Sequence, residues 1–406
     1  MNLTNRSCPI CQSNSGSLIK KIKFSLFEGH PMQGGYDLVQ CQNCSFIFAD
    51  TKVTQAELDD YYSNLSKYES KEISTGGGYN EYDRNRLIDT AKYISSKFDD
   101  KELAIADVGC AIGGLLEQLR IEGFNNITGI DPSISCVNIT KNEKGINCLH
   151  ASLFELDDSF GKYDLVLLSH VWEHILDLDS ALNSIEKILK PNGCIYVECP
   201  NALNYKNVIH APYQEFNTEH INHFSTGLFY NFFGSRGYDL IDKGIKLMKI
   251  ASNNDYDAVY SLFRKNLDGS KTDIIFDQEI LPAIKIYLNE SDRIYENIID
   301  KIKIVAALNE DIVFLGIGQF AFKLLESVKE LGIKNKLILF DNNILNEGKV
   351  INGLVVNPGK SLVSNYKTKK FNIIITSLIY QNEIENNLKS EFEKNNIEAP
   401  VICKLS

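Results

Sequence analysis

The amino-acid sequence predicts an α/β protein with two doubly wound parallel sheets behind a small cysteine-rich module. Short β-branched runs alternate with amphipathic helical patterns, first between residues 85 and 250 and again from residue 311. Two Cys-x-x-Cys pairs lie near the N-terminus. Alternation of strand and helix is typical of parallel sheets. We therefore predict four segments: a module at 1–70, an α/β core at 71–252, a helical connector at 253–310 and a smaller α/β domain at 311–406.

Composition and charge limit the class of protein. The 406 residues are 44% hydrophobic and carry 42 basic against 53 acidic side chains, a formal net charge of −11. An acidic surface repels nucleic-acid phosphates and anionic lipids, so we expect neither nucleic acid nor a membrane as partner. No apolar run approaches the roughly 18 residues of a membrane span. The N-terminus also lacks the apolar core of a signal peptide, so we expect a cytoplasmic protein.

The two cysteine pairs, Cys8 with Cys11 and Cys41 with Cys44, predict a structural zinc site. Each pair places two thiolates on a tight turn, and four thiolates close a tetrahedral site with no open position. A redox role is less consistent with the pattern, because neither pair follows a strand at the start of a helix. A nucleic-acid-binding ribbon conflicts with the acidic balance of the chain. We therefore expect a metal without a catalytic role.

Four predicted strands form the core of the second segment. The runs are LAIADVG, NITGID, KYDLVLLSH and CIYVECP, at residues 103–109, 126–131, 162–170 and 194–200. A helical pattern follows the first strand. Another follows the third and closes at Pro191 and Gly193. The spacing is that of consecutive strand–helix units in a parallel sheet.

The loop after the first of these strands predicts a nucleotide site. Gly109, Gly113 and Gly114 let a ligand approach the backbone, and the helix start offers free N–H donors. Asp131 ends the next strand, where a carboxylate can hold both hydroxyls of a ribose. The same pattern serves NAD, and glycines also permit close packing of strand on helix. The loop by itself leaves these alternatives open.

The stretch EFNTEHINHFS, residues 215–225, holds two of the seven histidines. His220 has the side-chain type suited to proton transfer near neutrality, and the adjacent Glu219 could orient it. A metal site made by Glu219, His220 and His223 is a second interpretation, although no fourth ligand is evident. A hydrogen-bonded loop that shapes a pocket is the third. We take proton transfer by His220 as the leading hypothesis.

Four stretches in order, DVGCAIGG, NITGID, SHVWEHILDLDSAL and LKPNGCIYVECP, resemble class I S-adenosylmethionine-dependent methyltransferases. The resemblance implies S-adenosylmethionine as cofactor, with its methionyl end on the glycine loop and its ribose on Asp131. Ser152 stands where the family often has an adenine-contacting Asp. Glu173 and His174 are expected to be cap and packing residues. The implied cofactor-binding residues are Asp107, Gly109, Cys110, Gly113, Asp131, Pro132, Ser152, Leu153, Ser169 and His170.

The order of all parts resembles the three-domain sugar C-methyltransferases, which act on nucleotide-linked 4-keto-6-deoxy sugars. The C-terminal stretches FLGIGQFAFKLL, FDNNILNEGKVINGLVVNP and IIITSLIYQNEI are similar to the third domain of that family. The resemblance implies a Rossmann-like class I methyltransferase core and a Rossmann-like C-terminal domain. The C-terminal domain would help to hold the nucleotide-sugar. Its loop Gly316-Ile317-Gly318 lacks the third glycine of a dinucleotide fingerprint, so we expect no redox cofactor there.

The resemblance also implies the chemistry. His220, with Glu219 beside it, is the implied base that removes a proton next to a ketone, and His223 is a further catalytic candidate. Tyr79 and Tyr82 are the counterparts of sugar-facing tyrosines. The function predicted is C-methylation of a nucleotide-linked keto-deoxysugar, with O-methylation of a sugar hydroxyl as the alternative. An NAD-dependent oxidoreductase and a zinc-ribbon adaptor with an inactive core remain as hypotheses of other classes.

Overall fold

The computed structural model describes residues 2–64, 76–251 and 254–405. The predicted boundaries after residues 70 and 252 fall outside these ranges. The chain divides into two compact units. The first contains Met1–Lys20, Asp37–Val208 and Glu219–Ile284, and the second contains Lys21–Tyr36, Ile209–Thr218 and Lys285–Ser406. Two short segments that lie between stretches of the first unit therefore belong to the second unit, which contiguous sequence domains do not anticipate.

The elements up to residue 265 include twelve strands and six helices in the described part. The strands are β1 (Asn2–Leu3), β2 (Ser15–Ile22), β3 (Tyr36–Cys41), β4 (Ile47–Asp50), β5 (Ile105–Val108), β6 (Ile127–Asp131), β7 (Asn147–His150), β8 (Tyr163–Ser169), β9 (Leu189–Pro200), β10 (Asn222–His223), β11 (Tyr238–Ala251) and β12 (Asn254–Lys265). The helices are α1 (Gln55–Asn64), α2 (Glu81–Lys97), α3 (Gly114–Ile121), α4 (Ile134–Lys144), α5 (Leu178–Ile188) and α6 (Thr226–Gly234).

A seven-stranded sheet forms the centre of the first unit. Its order is β11-β12-β9-β8-β5-β6-β7. The pairs β5–β6, β5–β8, β6–β7 and β8–β9 are parallel, whereas β12 runs antiparallel to both neighbours. All four residues of β5 are buried, because helices cover both faces of a parallel sheet. The predicted doubly wound α/β core is confirmed.

The sequence-based prediction of a helical connector over 253–310 is wrong in its first part. Residues 254–265 form β12, where Ala258, Leu262 and Phe263 are buried. Pairing with β9 and β11 on either side satisfies the backbone of this strand. Tertiary pairing of this kind outweighs local helical preference. Residues 266–279 are irregular, and the helical part of the segment is α7, which spans Ile280–Ala306.

A five-stranded sheet of order β1-β2-β3-β4-β10 carries the cysteine pairs. Cys41 ends β3 and Cys44 precedes β4, so the second pair lies on the turn between these antiparallel strands. β10 contains His223, which is paired with Ile47 of β4. The histidine stretch is therefore attached to the sheet of the cysteine module.

The second unit contains a six-stranded, mostly parallel sheet of order β15-β16-β14-β13-β17-β18. Its strands are β13 (Asp311–Leu315), β14 (Leu337–Asp341), β15 (Val350–Ile351), β16 (Leu354–Pro358), β17 (Phe371–Ile375) and β18 (Ile402–Lys404), and its helices are α8 (Gln319–Glu330), α9 (Leu362–Thr368) and α10 (Gln381–Lys394). The predicted second α/β series is thus present. Across the described part of the chain, no helix combines the length and apolarity needed to cross a bilayer.

Candidate active site

The order of the large sheet reverses between β5 and β8, which are adjacent and parallel. In open α/β sheets, ligands bind outside the carboxyl ends of the strands at such a reversal. A crevice of about 360 Å³ lies there, within the size range of small-molecule sites. The glycine loop after β5 and the turn after β8 both line it.

The glycine loop has a backbone that side chains would disturb. Gly109 has a φ of 75°, and a Cβ atom there would lie 2.7 Å from Cγ2 of Val171. Gly113 has a φ of 76°, and its Cβ would lie 2.7 Å from Cγ2 of Thr140. Gly109 lines the crevice, whereas Gly113 permits close packing on α4. The two glycines are therefore required for different reasons.

Asp131 joins the loop to the next strand. Its Oδ2 accepts the N–H of Ala111 at 2.8 Å, and its Oδ1 accepts the N–H of Ser133 at 2.9 Å. The carboxylate is buried to 7% exposure and lines the crevice. Both bonds fix its orientation, as expected of a group that holds ribose hydroxyls.

Asp107, at the end of β5, is held close to a second carboxylate. Burial, and then the charge of Asp131, raise the pKa of Asp107 from 3.8 to about 8, against a lowering effect of Arg86. A strongly raised carboxyl pKa in a crevice is typical of functional sites. Of the ten predicted cofactor-binding residues, nine line the crevice, Gly113 being the exception.

The predicted adenine contact, Ser152, has its hydroxyl engaged locally. Its Oγ accepts the N–H of Phe154 at 3.1 Å, and its main-chain N–H donates to Glu155 at 2.7 Å, which makes a capping box. The hydroxyl also interacts with Asp59. Ser152 and Leu153 both line the crevice, and Asp59 of α1 is an acidic neighbour that the sequence did not reveal.

Arg86 is a partly buried cation in the crevice that the sequence patterns did not indicate. Its Nη2 lies 2.9 Å from Oδ1 of Asp83, whose carboxylate accepts the N–H groups of Gly76 and Gly78 at 2.9 and 2.7 Å. The glycine run before α2 is therefore folded around Asp83. The spacing of Asp83 and Arg86 on one helix face could have indicated the pair.

Tyr79 and Tyr82, predicted from the same stretch, do not line the crevice in the described structure. Tyr79 is 44% exposed, with its ring 5.4 Å from Nζ of Lys144. Instead, α1 and β12 each supply one phenol to the crevice, from Tyr62 and Tyr256. The Tyr62 hydroxyl lies 3.3 Å from Nδ1 of His174, and Tyr62 lines the crevice.

Glu173 and His174, expected to be cap and packing residues, lie in the crevice beside His220. His174 Nδ1 lies 2.9 Å from the main-chain oxygen of Glu219, and the His174 and His220 ring centroids are 5.2 Å apart. Each of the three offers one ligand atom, and these atoms lie within 4.8 Å of one another. We call Glu173, His174 and His220 the histidine cluster.

The two remaining candidates of the histidine stretch have other surroundings. Glu219 is buried, and its carboxylate bonds to Tyr61, whose pKa is raised by burial and then by that charge. His223 is fully buried in β10 with Nδ1 3.2 Å from the Tyr205 hydroxyl, and burial lowers its pKa to about 3. Within the described residues, the potential metal-binding group around His220 contains Glu173 and His174 rather than Glu219 and His223.

His170 connects the cluster to a buried charge network. Its φ of 57° is a strained conformation for a side chain of this size. Its Nδ1 lies 3.2 Å from Glu173 and its Nε2 3.3 Å from Glu198, which in turn lies 2.6 Å from Nζ of Lys246. Burial lowers the pKa of His170, but the two carboxylates outweigh it and raise the pKa to about 9.

The four cysteines of the N-terminal pairs meet in space. The Sγ atoms of Cys8 and Cys44 are 3.5 Å apart, those of Cys11 and Cys41 are 3.4 Å apart, and all four lie within 4.8 Å of one another. All are free thiols, and all but Cys11 are buried. The donor set and its closeness fit a four-thiolate zinc ion.

Comparison with known proteins identifies the domain. A family model described as a methyltransferase domain matches residues 79–243. Ubiquinone biosynthesis O-methyltransferase of Rickettsia prowazekii (strain Madrid E) is 33% identical over 114 residues, 27% of this chain and 44% of that protein. The same enzyme of Pelagibacter ubique (strain HTCC1062) is 30% identical over 125 residues, covering 30% and 51%. The chain spans about half the length of the curated relatives it matches.

One of the solved structures to which the chain is similar is magnesium protoporphyrin IX methyltransferase of Synechocystis PCC 6803 with bound SAH. It has a TM-score of 0.41 and 13% identity, and the match covers 52% of this chain and all of that one. The family match shows that residues 79–243 are similar to a methyltransferase domain. The resemblance to methyltransferases is confirmed for this domain, and the sugar C-methyltransferase layout stays a prediction.

Proposed function

We propose that this chain is an S-adenosylmethionine-dependent methyltransferase that methylates the carbon beside the ketone of a nucleotide-linked keto-deoxysugar. One observation carries the proposal: a single crevice is lined by the glycine loop with Asp131 and by the histidine cluster. The loop and the acid are suited to a nucleoside-containing donor, whereas imidazoles beside a carboxylate are suited to proton removal.

Three residues account for donor binding. Gly109 brings the backbone close to the ligand, Asp131 presents a fixed carboxylate for ribose hydroxyls, and Arg86 offers a cation for the methionyl carboxylate. When bound, S-adenosylmethionine supplies a methyl group made electrophilic by a positively charged sulfur. A melting-temperature shift with S-adenosylhomocysteine, and none with NAD, is the expected result. The reverse pattern would support the oxidoreductase hypothesis.

His220 is the base in this proposal. It takes a proton from the carbon next to the ketone, and the C–H electron pair moves onto the ketone oxygen. The enolate carbon then forms the new bond to the methyl group while the methyl–sulfur bond breaks, so that S-adenosylhomocysteine leaves with the electron pair on its sulfur. The Tyr62 hydroxyl, which lines the same crevice, is placed to donate to an oxygen that gains negative charge. His174, oriented by the carbonyl of Glu219, packs on the ring of His220.

The alternative is methylation of a hydroxyl. The matched relatives are named O-methyltransferases, and an imidazole base serves an oxygen as well as a carbon acceptor. Solvent deuterium exchange without the donor separates the two. Exchange at the carbon beside the ketone supports C-methylation, and its absence from a substrate that is turned over supports O-methylation.

The sugar assignment comes from the order of parts in the sequence and is tested by mass spectrometry. Nucleotide-linked keto sugars are incubated singly with the protein and S-adenosylmethionine. A gain of one methyl group on one of them is expected. If the donor binds and no keto sugar is methylated, the substrate assignment is wrong while the donor assignment stands.

We also propose that Cys8, Cys11, Cys41 and Cys44 bind a structural zinc ion. Four thiolates leave no coordination position open, so the ion stabilises the fold of the small sheet and takes no part in methyl transfer. Elemental analysis of the purified protein is expected to find zinc, and a Cys41→Ser variant is expected to lose it.

A further inference from the structure

The histidine cluster has the composition of a second metal site, distinct from the four cysteines. Two imidazoles and one carboxylate are a donor set used by zinc and related divalent ions. The three ligand atoms lie within 4.8 Å of one another, and all three side chains line the crevice. A ligand set of three leaves a coordination position for a molecule in the crevice.

The tautomer of His174 is set for coordination. A main-chain carbonyl oxygen only accepts hydrogen bonds, so the 2.9 Å contact between Nδ1 and the oxygen of Glu219 places the proton on Nδ1. The lone pair is then on Nε2, which lies 3.9 Å from Oε1 of Glu173. Metal-binding histidines have this arrangement, with the second ring nitrogen donating to a carbonyl or carboxylate.

Glu173 is held by neighbours on both oxygens. Oε1 lies 3.2 Å from Nδ1 of His170, and Oε2 accepts from the thiol of Cys199 at 3.2 Å. Its main-chain oxygen accepts the N–H of Ile221, next to His220 in sequence, at 3.0 Å. The carboxylate is 1% exposed. These contacts orient the ligand atom as outer contacts do in metal sites.

We propose that Glu173, His174 and His220 bind a divalent transition-metal ion of the Zn²⁺ type, and that its binding inhibits methyl transfer. The inference rests on the proposed function, because coordination occupies the His220 nitrogen that would accept the proton. Zinc bonds of about 2.0–2.1 Å put tetrahedral ligands about 3.4 Å apart, so the side chains move together by about 1 Å on binding. A tyrosine of the same crevice, Tyr62, contacts His174 from outside the ligand set.

Calorimetric titration of Zn²⁺ into protein whose cysteine site is already filled tests the binding. A second equivalent is expected for the wild type, and its loss is expected in His174→Ala and in the more conservative Glu173→Gln. His210→Gln is the matched control, because His210 is not among the described residues that line the crevice. Retention of the second equivalent in both cluster variants, or no Zn²⁺ uptake by the wild type beyond the ion already in the cysteine site, overturns the proposal. Melting temperatures with S-adenosylhomocysteine show which variants are folded.

Co²⁺ absorption identifies the donor atoms. Thiolate ligands give strong charge-transfer bands, so the second Co²⁺ is expected to add d–d bands without new thiolate bands. A second ion with thiolate bands would place it elsewhere and contradict the assignment.

Turnover is measured separately on a substrate that the protein methylates. Rates are expected to fall as Zn²⁺ fills the second site and to recover when a chelator removes it. A rise in rate would overturn the inhibitory role. Calorimetry needs no substrate. The Zn²⁺ binding result can therefore be interpreted even if the proposed methyl transfer is wrong.

Discussion

His174 Nδ1 lies 2.9 Å from the main-chain oxygen of Glu219, which ties the turn after β8 to the histidine stretch at residues 215–225. The two residues are 45 positions apart. This bond places the ring of His220 beside that of His174 in the crevice. It therefore connects the motif found in the methyltransferase domain with the histidine proposed as the base.

Replacement of His220 by Ala is expected to lower kcat by about 10²–10⁴-fold, the usual contribution of a positioned base. Donor binding should persist, because His220 is not among the residues that hold the donor. The measurements are steady-state rates and the melting shift with S-adenosylhomocysteine. His210→Gln serves as control and should keep the wild-type rate. A folded, donor-binding His220→Ala protein with a near-normal rate would remove His220 from the mechanism.

Tyr62→Phe is expected to lower kcat by roughly tenfold, because a hydrogen bond to a developing charge is worth about 1.5 kcal/mol or more. Tyr79→Phe, at an exposed position outside the crevice, should have no effect. Rates of the two variants are compared under saturating donor. An effect of Tyr79 equal to that of Tyr62 would support the sequence-based assignment of the sugar-facing tyrosines.

Asp107→Asn is expected to raise the melting temperature of the ligand-free protein, increasingly as the pH rises. The Asp107 pKa is about 8 in the folded chain against 3.8 as the ordinary value, so the folded state holds a proton that the unfolded state has released. Stability therefore falls between about pH 4 and pH 8, and the amide removes that loss. Thermal melts of the wild type and the variant at several pH values measure this difference in melting temperature.

The control for this pH dependence is Asp242→Asn. A hydrogen bond from Lys97 lowers the pKa of Asp242, so the folded state favours the charged form. Stability from that interaction is present above the ordinary pKa and lost as the pH falls. The amide should therefore destabilise the protein at neutral pH. Parallel pH trends for both variants would contradict the assigned environment of Asp107.

Lys246→Met is expected to destabilise the protein by about 3–5 kcal/mol, because it leaves a buried carboxylate without its cation. Glu198 is fully buried, and its Oε2 lies 2.6 Å from Nζ of Lys246. Lys97→Met breaks an ion pair with Asp242 in which both side chains are about a third exposed, and should cost less than about 1 kcal/mol. Urea denaturation measures the free energy of unfolding of both variants and of the wild type. Equal losses of unfolding free energy in the two variants would show that Lys246 and Glu198 are not strongly coupled.

Removal of zinc by a strong chelator is expected to lower the melting temperature, because the four cysteines hold the turn between β3 and β4. Cys41→Ser should reproduce the loss without chelator. Cys403→Ser, on β18 of the second unit, should not. An unchanged melting curve after complete zinc removal would deny the ion a structural role.

The strands of the core were predictable because each depends on a local pattern. Buried β5 and β8 are short apolar runs, and the glycine loop between β5 and α3 needs backbone angles that glycine allows. β12 was not predictable in the same way. Its sequence does not identify a strand without β9 and β11 beside it.

The sequence by itself determined the α/β class, the cysteine pairs, the glycine loop and the acid at Asp131. Each of these features depends on residues that lie close together in the sequence. The tertiary structure alone decided that Tyr62 and Arg86 line the crevice, that His174 lies beside His220, and that His223 is buried in a strand. Contacts between distant segments follow from strand order and packing, which no local pattern of side chains encodes.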